Sequence, residues 1–461
     1  MDRARNGELP GTAAAPDRRP GFDHHDGTAC GGEHARCHQP VRPCPHHNGV
    51  VSGARAAHPS SVPDGDRVAA TMARVLVTAD DCTGALEVAG ALAERTHRPV
   101  RAVIDHQRDP LSLEPSDDGT VLVVDLGSRH VAPDEAARRI VASVERVAPD
   151  VVAHKFDSTL RGNWASELVA AGRLTGGRAL VVPALPSAGR VCRAGVVLVD
   201  GVPVEDTAAG SDPRHPVRSS RPAEHLRSAG ATDVVHVATG AELAAWLDSA
   251  EPSVAVADAA SADDLEQIGA LWRAHGSRPM LAGTAGSVAA GLAGLVPAAD
   301  QPMRPPRADA VLVVCGSLHP VARRQVAAVV SSADPADRIA VVTSPPLWPP
   351  GAPLSDAAAA VAAEEVVDRA RRALAARPER VAVVLGGDTA AALLAGQVLE
   401  VLGSLAPGAP WCRAVRDGRI VVTRSGGFGS ADDLGHLVAL VLDADAGGEQ
   451  AGGEHHGRMG R

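Results

Sequence analysis

Helix-length stretches alternating with short apolar runs predict an α/β protein. The expected fold has two domains, each a mostly parallel sheet flanked by helices, with the active site in the cleft between them. Three observations carry this. Apolar runs such as Val75–Thr78, Val121–Asp125 and Val311–Val314 recur between the helical stretches. Clusters of charged residues or glycines come directly after those runs, where ligands lie in an open parallel sheet. The Pro-rich segment 297–309 divides the pattern in two.

The chain has 461 residues, room for two or three ordinary domains. Aromatic residues make up only 2%, so the core has to be built from Val, Leu, Ala and Ile. A net charge of -10 leaves no basic excess for nucleic acid or an anionic membrane. No apolar run reaches the roughly 18–20 residues that cross a bilayer, and no signal-peptide core is apparent. The 7 cysteines are odd in number and scattered without paired spacing, which points to a reduced, cytoplasmic setting.

Residues 1–71 are rich in Gly, Pro, Arg and His and lack hydrophobic periodicity, so they read as a disordered extension. Met72 directly precedes the first globular residues, and 1–71 read as upstream sequence from an early start. Cys30, Cys37 and Cys44 lie among several histidines, but without the close cysteine pair of a structural zinc site.

The first domain is expected over 72–296. Its first strand, Val75–Thr78, leads through Asp80–Gly84 into a helix over Ala85–Glu94. Strands are expected next at Val100–Ile104, Val121–Asp125 and Val151–Ala153, with a helix over Ala136–Val147. A helix over Asn163–Ala171 and a strand at Ala179–Val182 come after them, then a hairpin over 195–203 and a polar surface loop over 204–221. Further units run through Val234–Ala238, Ala241–Ser249, Val254–Ala257, Asp263–His275 and Leu281–Leu295.

The second domain is expected over 310–443, with a flexible tail over 444–461. Its strands are Val311–Val314, Ile339–Thr343, Val381–Leu385 and Ile420–Thr423. Helices are expected over Arg323–Val330, Asp356–Ala376 and Leu434–Leu442, with an Ala/Leu helix after Thr389 and a Pro-rich loop near 344–353.

The stretch Lys155–Gly162 (KFDSTLRG) concentrates chemistry after its strand: a cation, a carboxylate, the hydroxyls of Ser158 and Thr159, a guanidinium and a glycine. Lys155 is the only lysine among 45 Lys+Arg. A composition that uses arginine everywhere else keeps one compact point charge here, which suits a carboxylate or phosphate oxygen. With Asp80, Asp81, Asp157, Arg161 and Arg190, the strand ends of the first domain suit a small polar anion. Those of the second domain carry glycine and hydroxyl instead: Gly316-Ser317, Gly386–Thr389 and Ser425–Gly429. Backbone N–H groups at such turns cradle phosphates. One domain for a small acid and one for phosphates read together as a phosphotransferase. No Walker A lysine motif and no dinucleotide GxGxxG fingerprint is present.

Residues 73–443 resemble the four-carbon acid sugar kinases (D-threonate, D-erythronate and 3-oxo-tetronate kinases). The stretches that carry the resemblance are ADDCTGALEVAGAL (79–92), KFDSTLRGN (155–163), VPALPSAGR (182–190), GVPVEDT (201–207), GSLHP (316–320), GGDTAAAL (386–393), PGAP (407–410) and RSGGFG (424–429). The resemblance implies ATP-dependent phosphorylation, with Mg²⁺, of a hydroxyl (the terminal one is usual) on a four-carbon sugar acid. It implies an acid-binding set of Lys155, Asp157, Ser158, Arg161 and Arg190, with Asp80 and Asp81 as the catalytic carboxylates. It implies a nucleotide set of Ser317, Gly386, Gly387, Asp388, Thr389, Ser425, Gly426, Gly427 and Gly429. The chain departs from the family pattern at His319 and Ala322, where serine and threonine are usual, and at Arg424, where lysine is usual. Those departures keep open a nucleotide-impaired sugar-acid sensor, and Lys155 keeps open another sugar-acid enzyme. The sequence pattern leaves metal ligands, the acid and its stereochemistry, and homo-oligomer formation open.

Overall fold

A computed structural model describes residues 73–105, 121–212, 214–276, 278–317, 319–331, 338–344, 356–427 and 429–442. The expected N-terminal extension with its cysteines and histidines, most of the Pro-rich loop and the tail lie outside the described residues.

The N-terminal half runs β1 (Val75–Ala79), α1 (Cys82–Thr96), β2 (Val100–Val103), β3 (Val121–Asp125), α2 (Pro133–Val147), β4 (Val151–Lys155), α3 (Trp164–Gly172) and β5 (Ala179–Val182). It continues through β6 (Arg190–Arg193), β7 (Val196–Val199), β8 (Val202–Pro203), α4 (Pro222–Ser228), β9 (Val234–Val237), α5 (Gly240–Asp248), β10 (Val254–Ala257), α6 (Ala262–Ala274), β11 (Met280–Gly283) and α7 (Ala285–Leu292). After the irregular segment 297–309 the C-terminal half runs β12 (Val311–Cys315), α8 (Pro320–Ser331), β13 (Ile339–Thr343), α9 (Asp356–Ala376), β14 (Val381–Leu385) and α10 (Gly387–Leu394). It ends with β15 (Val398–Ala406), β16 (Ala409–Ala414), β17 (Ile420–Arg424) and α11 (Asp433–Leu442).

The strands of both halves join one 14-stranded sheet, in the order β13-β12-β14-β17-β16-β15-β2-β3-β1-β4-β11-β5-β10-β9, and β6-β7-β8 form a small separate sheet. The sequence reading expected a sheet in each domain. The sheets merge because a hairpin absent from that reading, β15–β16, pairs antiparallel with the edge of β2, Val398 opposite Val103 and Val401 opposite Val100. Two irregularities in β15, at Val401/Gly403 and Ser404/Ala406, are of the kind that bends and twists a strand.

β1 is buried along its whole length, as the middle of a two-faced parallel sheet requires. Val75, Val77 and Ala79 pack in one apolar cluster with Leu86, Val88 and Leu92 of α1. Leu76 packs in a second cluster with Phe156, Leu160 and Trp164. Several helices begin earlier than expected because the residue before each first turn caps it. Asp81 caps α1 by accepting the Gly84 N–H at 2.9 Å, and Thr239 and Ser261 form capping boxes with Glu242 and Asp264. Among the described residues no helix is long and apolar enough to cross a membrane.

Phe156 and Trp164 stack at 4.6 Å, and the Trp164 indole N–H donates to the Leu160 carbonyl at 3.2 Å. This clamps the 157–162 turn from beneath. Trp164→Ala is expected to lower unfolding free energy by about 3–5 kcal/mol, read by urea denaturation. A loss under about 1 kcal/mol would mean that the stack is not supporting the turn.

Candidate active site

β1 pairs in parallel with both β3 and β4, and Ala79 stands level with Asp125 on one side and Lys155 on the other. The residues just beyond these three strands therefore share one edge. The backbone binds the three ends together: the Ser128 and Arg129 N–H groups donate to the Asp80 carbonyl at 3.0 and 3.1 Å, and the Asp80 N–H donates to the Lys155 carbonyl at 3.3 Å.

Arg129 is the hub of the edge. Its Nε and Nη2 grip both oxygens of Asp80 at 2.8 and 2.9 Å, and its Nη1 donates to Asp81 Oδ2 at 2.9 Å. Asp157 lies 4.0 Å away. The sequence reading missed this residue, although it lies just beyond a correctly anticipated strand, where the strand-end rule could have found it. On its loop Ser128 donates to buried Glu167; nearby, Thr78 Oγ1 and His154 Nδ1 are 2.9 Å apart, and His154 Nε2 lies 3.3 Å from Glu167 without a hydrogen bond.

Asp80 is fully buried, and burial pushes its carboxyl up despite Arg129. Asp81 keeps some exposure. Burial works against its charge, but Arg129, Lys155 and the Gly84 N–H outweigh it and hold the carboxyl below the ordinary range. Lys155 is the buried last residue of β4, not part of the turn after it, with Nζ 3.8 Å from Asp81. Burial disfavours its charge, yet Asp81, Asp80 and Glu87 together keep its pKa raised.

Asp157 accepts Arg161 Nε and Nη2 at 2.9 and 3.0 Å and the Thr159 hydroxyl. Burial opposes its charge, but Arg129 and Arg161 hold it well below the carboxylate range. The turn is tight, with Leu160 at φ 64° and Gly162 at φ 88°. A Cβ on Gly162 would stand 3.1 Å from Arg129 Cγ, so glycine serves both the turn and the approach. Ser158 is half-buried on the same turn. Arg161 also reaches Asp212 at 3.2 Å, in the loop before α4. Arg190 instead donates to Ala188 of its own loop at 2.5 Å.

The second set gathers after β12, β14 and β17. The Gly316 N–H donates to the buried Thr389 hydroxyl at 3.1 Å, and Ser317 Oγ accepts the His319 N–H at 3.3 Å. Gly386, at φ 103°, begins α10, and a Cβ there would lie 3.1 Å from that of Ser317. One on Gly426 would lie 2.6 Å from Ser317 Oγ. Glycine at 386 and 426 therefore lets these three turns pack closely around Ser317. Ser425 is half-buried, while Gly427, Gly429, Asp388 and His319 are open to solvent or half-buried. Gly427 faces the His319 ring, and Ala322 is buried beneath Gly426. Arg424 is engaged by Asp433 at 2.5 Å.

The two sets meet. A Cβ on Gly387 would stand 2.7 Å from Thr83 Oγ1 and 3.6 Å from Asp81 Oδ2. The first turn of α10 thus lies against the first turn of α1, and both helix starts carry partial positive charge. Among the described residues no group of three or more His, Cys, Asp or Glu side chains is arranged to hold a metal ion.

Asp125, at the end of β3, supplies a pH test. Burial lifts its carboxyl to about 7, against the Gly127 N–H, which lowers it; the charges of Asp81 and Asp80 add to the rise. The folded state therefore holds this proton more tightly than the unfolded chain. The stability it contributes is complete in acid and is lost as pH rises through about 7. Asp125→Asn has no proton to lose, so its melting temperature relative to the parent is expected to climb between about pH 4 and about pH 7 and then level off. A difference that stays flat across that window would contradict the assignment.

A family model described as a sugar-binding N-terminal domain matches residues 75–292, and one described as a nucleotide-binding C-terminal domain matches 351–434. A D-threonate kinase of Salmonella typhimurium is 34% identical over 266 residues, which cover 55% of this chain and only 60% of that enzyme. A D-threonate kinase of Bordetella bronchiseptica is 34% identical over 354 residues, covering 68% of this chain and 84% of the relative. A crystal structure of a Salmonella typhimurium protein shares the fold at a TM-score of 0.63 and 21% identity, over 79% of this chain and 98% of the other. By these relationships the chain belongs to the four-carbon acid sugar kinase family.

Proposed function

We propose that the protein is an ATP-dependent kinase that phosphorylates a hydroxyl, the terminal one by preference, of a four-carbon sugar acid such as threonate, erythronate or an oxo-tetronate. The observation that carries this reading is the abutment of Gly387 on Asp81 and Thr83, which joins the charged edge to the glycine-lined one. We assign acid binding to 72–296, a linker to 297–309 and nucleotide binding to 310–443.

The charged edge suits a small hydroxy acid. Lys155, Asp157, Ser158 and Arg161 would hold the carboxylate and its neighbouring hydroxyls, and Arg190 would join them once its guanidinium leaves the Ala188 carbonyl. Asp80 is buried with both oxygens on Arg129, so its role is to position that guanidinium. The proton of the acceptor hydroxyl goes to Asp81. As it leaves, the hydroxyl oxygen bonds to the terminal phosphorus of ATP and the bond from that phosphorus to the ADP oxygen breaks. Phosphoryl transfer depends mainly on positioning and on neutralising charge, which is what a rigid cluster of paired ions supplies.

The packed turns of Ser317, Gly386, Gly387, Thr389, Gly426, Gly427 and Gly429, with Ser425, suit the phosphates because glycine turns and the start of α10 offer backbone N–H groups. Exposed Asp388, in the first turn of α10, suits Mg²⁺, an ion that keeps waters and phosphate oxygens and takes one or two carboxylates. Asp388 is the carboxylate placed to serve, and bound Mg²⁺ would neutralise phosphate charge. A Schiff-base enzyme is disfavoured, because three carboxylates keep Lys155 protonated.

The test is ADP release with Mg-ATP and a panel of four-carbon acids. Turnover on at least one acid is expected, and Asp81→Asn should lower kcat by about 10²–10⁴-fold. A loss below tenfold would remove Asp81 as the base. Silence with every acid, together with no ATP binding in titration calorimetry, would favour the sugar-acid sensor.

A further inference from the structure

The loop before α4, read from sequence only as a polar surface segment, crosses from the acid edge to the nucleotide side. Asp212 anchors it. Its Oδ1 accepts the backbone N–H groups of Arg214 and His215 at 3.0 and 2.8 Å, and its Oδ2 takes Arg161 at 3.2 Å. The loop is therefore tied to the KFDSTLRG turn. A second tie is the hydrogen bond at 2.8 Å between His215 Nε2 and His130 Nδ1, whose rings lie 4.9 Å apart. His130 comes directly after Arg129. From this double anchorage the Arg214 side chain extends to the other half, with Nη1 3.9 Å from Asp388 Oδ2. Asp388 lies in the first turn of α10, next to the Gly387 that abuts Asp81.

We propose that Arg214 is a further catalytic residue, a guanidinium that the acid-binding half presents across the cleft and that exchanges Asp388 for the oxygens of the transferring phosphoryl group. The proposal rests on the kinase reading above. In the transfer step the acceptor oxygen–phosphorus bond forms and the phosphorus–ADP oxygen bond breaks. The hydroxyl proton goes to Asp81, and Arg214 spreads its charge over the phosphoryl oxygens without itself bonding or losing a proton.

Energetics favour the exchange. The Arg214–Asp388 pair is longer than a hydrogen bond, and its side chains are 33% and 77% exposed. Such a pair is worth about 0–1 kcal/mol. A two-pronged guanidinium–phosphate contact is shorter and stronger. Because Asp212 holds both Arg161 and the backbone of Arg214, acid recognition and phosphoryl stabilisation share one support.

The experiment compares the full chain with Arg214→Ala and Arg214→Lys in the ADP-release assay. It also measures binding of ADP alone and of ADP with aluminium fluoride, a mimic of the transferring phosphoryl group, both in the presence of the acid. Arg214→Ala is expected to lose on the order of 10²–10³-fold in kcat, with KM for the acid held within roughly threefold. Aluminium fluoride binding should weaken to match while ADP binding stays the same. Added guanidinium ion should restore part of the activity to Arg214→Ala and none to the parent. Arg214→Lys should fall between, since an ammonium cannot make the two-pronged contact. An active parent with Arg214→Ala or Arg214→Lys as fast as it is, or with unchanged aluminium fluoride binding, would overturn the role of Arg214 alone. A parent that turns over no acid would overturn the kinase reading and this proposal with it.

Discussion

Two adjacent carboxylates at the end of a buried parallel strand need a cation buried with them to offset the water they lose, and here Arg129 supplies it. Stripping water from each ion costs several kcal/mol, and it is recovered only when geometry and hydrogen bonding are good. Arg129 meets the condition by giving three N–H groups to Asp80 and Asp81. The backbone enforces the match, since Asp80's own carbonyl receives the Arg129 N–H. Lys155, Asp157 and Arg161 then extend the same alternation of charge. The result is a stiff polar edge whose geometry is set before any substrate arrives.

The stiffness has support on both sides. Beneath, buried Glu167 accepts the Ser128 hydroxyl, and the Phe156–Trp164 stack fixes the turn. On the other side, α1 packs against β15, β16 and α10. Asp81 starts that helix, so the residue proposed to take the proton also locates the acid edge relative to the nucleotide side.

How much of this was legible from sequence depends on the kind of signal each part leaves. Fully buried parallel strands announce themselves as apolar runs, and β3, β5, β10 and β14 have the expected limits, as does β13, a half-buried edge strand. The strand-end rule picked out Asp80, Asp81 and Asp157 and the turns at Gly316-Ser317, Gly386–Thr389 and Ser425–Gly429, and the resemblance gave them roles. Arg129 escaped because an arginine in a chain with so many arginines carries no compositional signal, whereas the single lysine does. The β15–β16 hairpin escaped because its residues mix apolar, glycine and charged positions and its partner, β2, is remote in sequence. Sheet pairing of that kind leaves no local trace. Arg190 illustrates the opposite limit: motif membership does not reveal that its guanidinium turns back onto Ala188.

The most direct test of the central claim is a crystal structure of the protein with a four-carbon acid, Mg²⁺ and a non-hydrolysable ATP analogue. The account predicts the acid carboxylate among Lys155, Arg161 and Ser158, an acceptor hydroxyl within hydrogen-bonding reach of Asp81, and the terminal phosphate between Gly387 and that hydroxyl. Acid bound in the cavity lined by Thr239, Asp258 and Gln267 instead, or phosphates away from the Ser317–Gly426 turns, would contradict it.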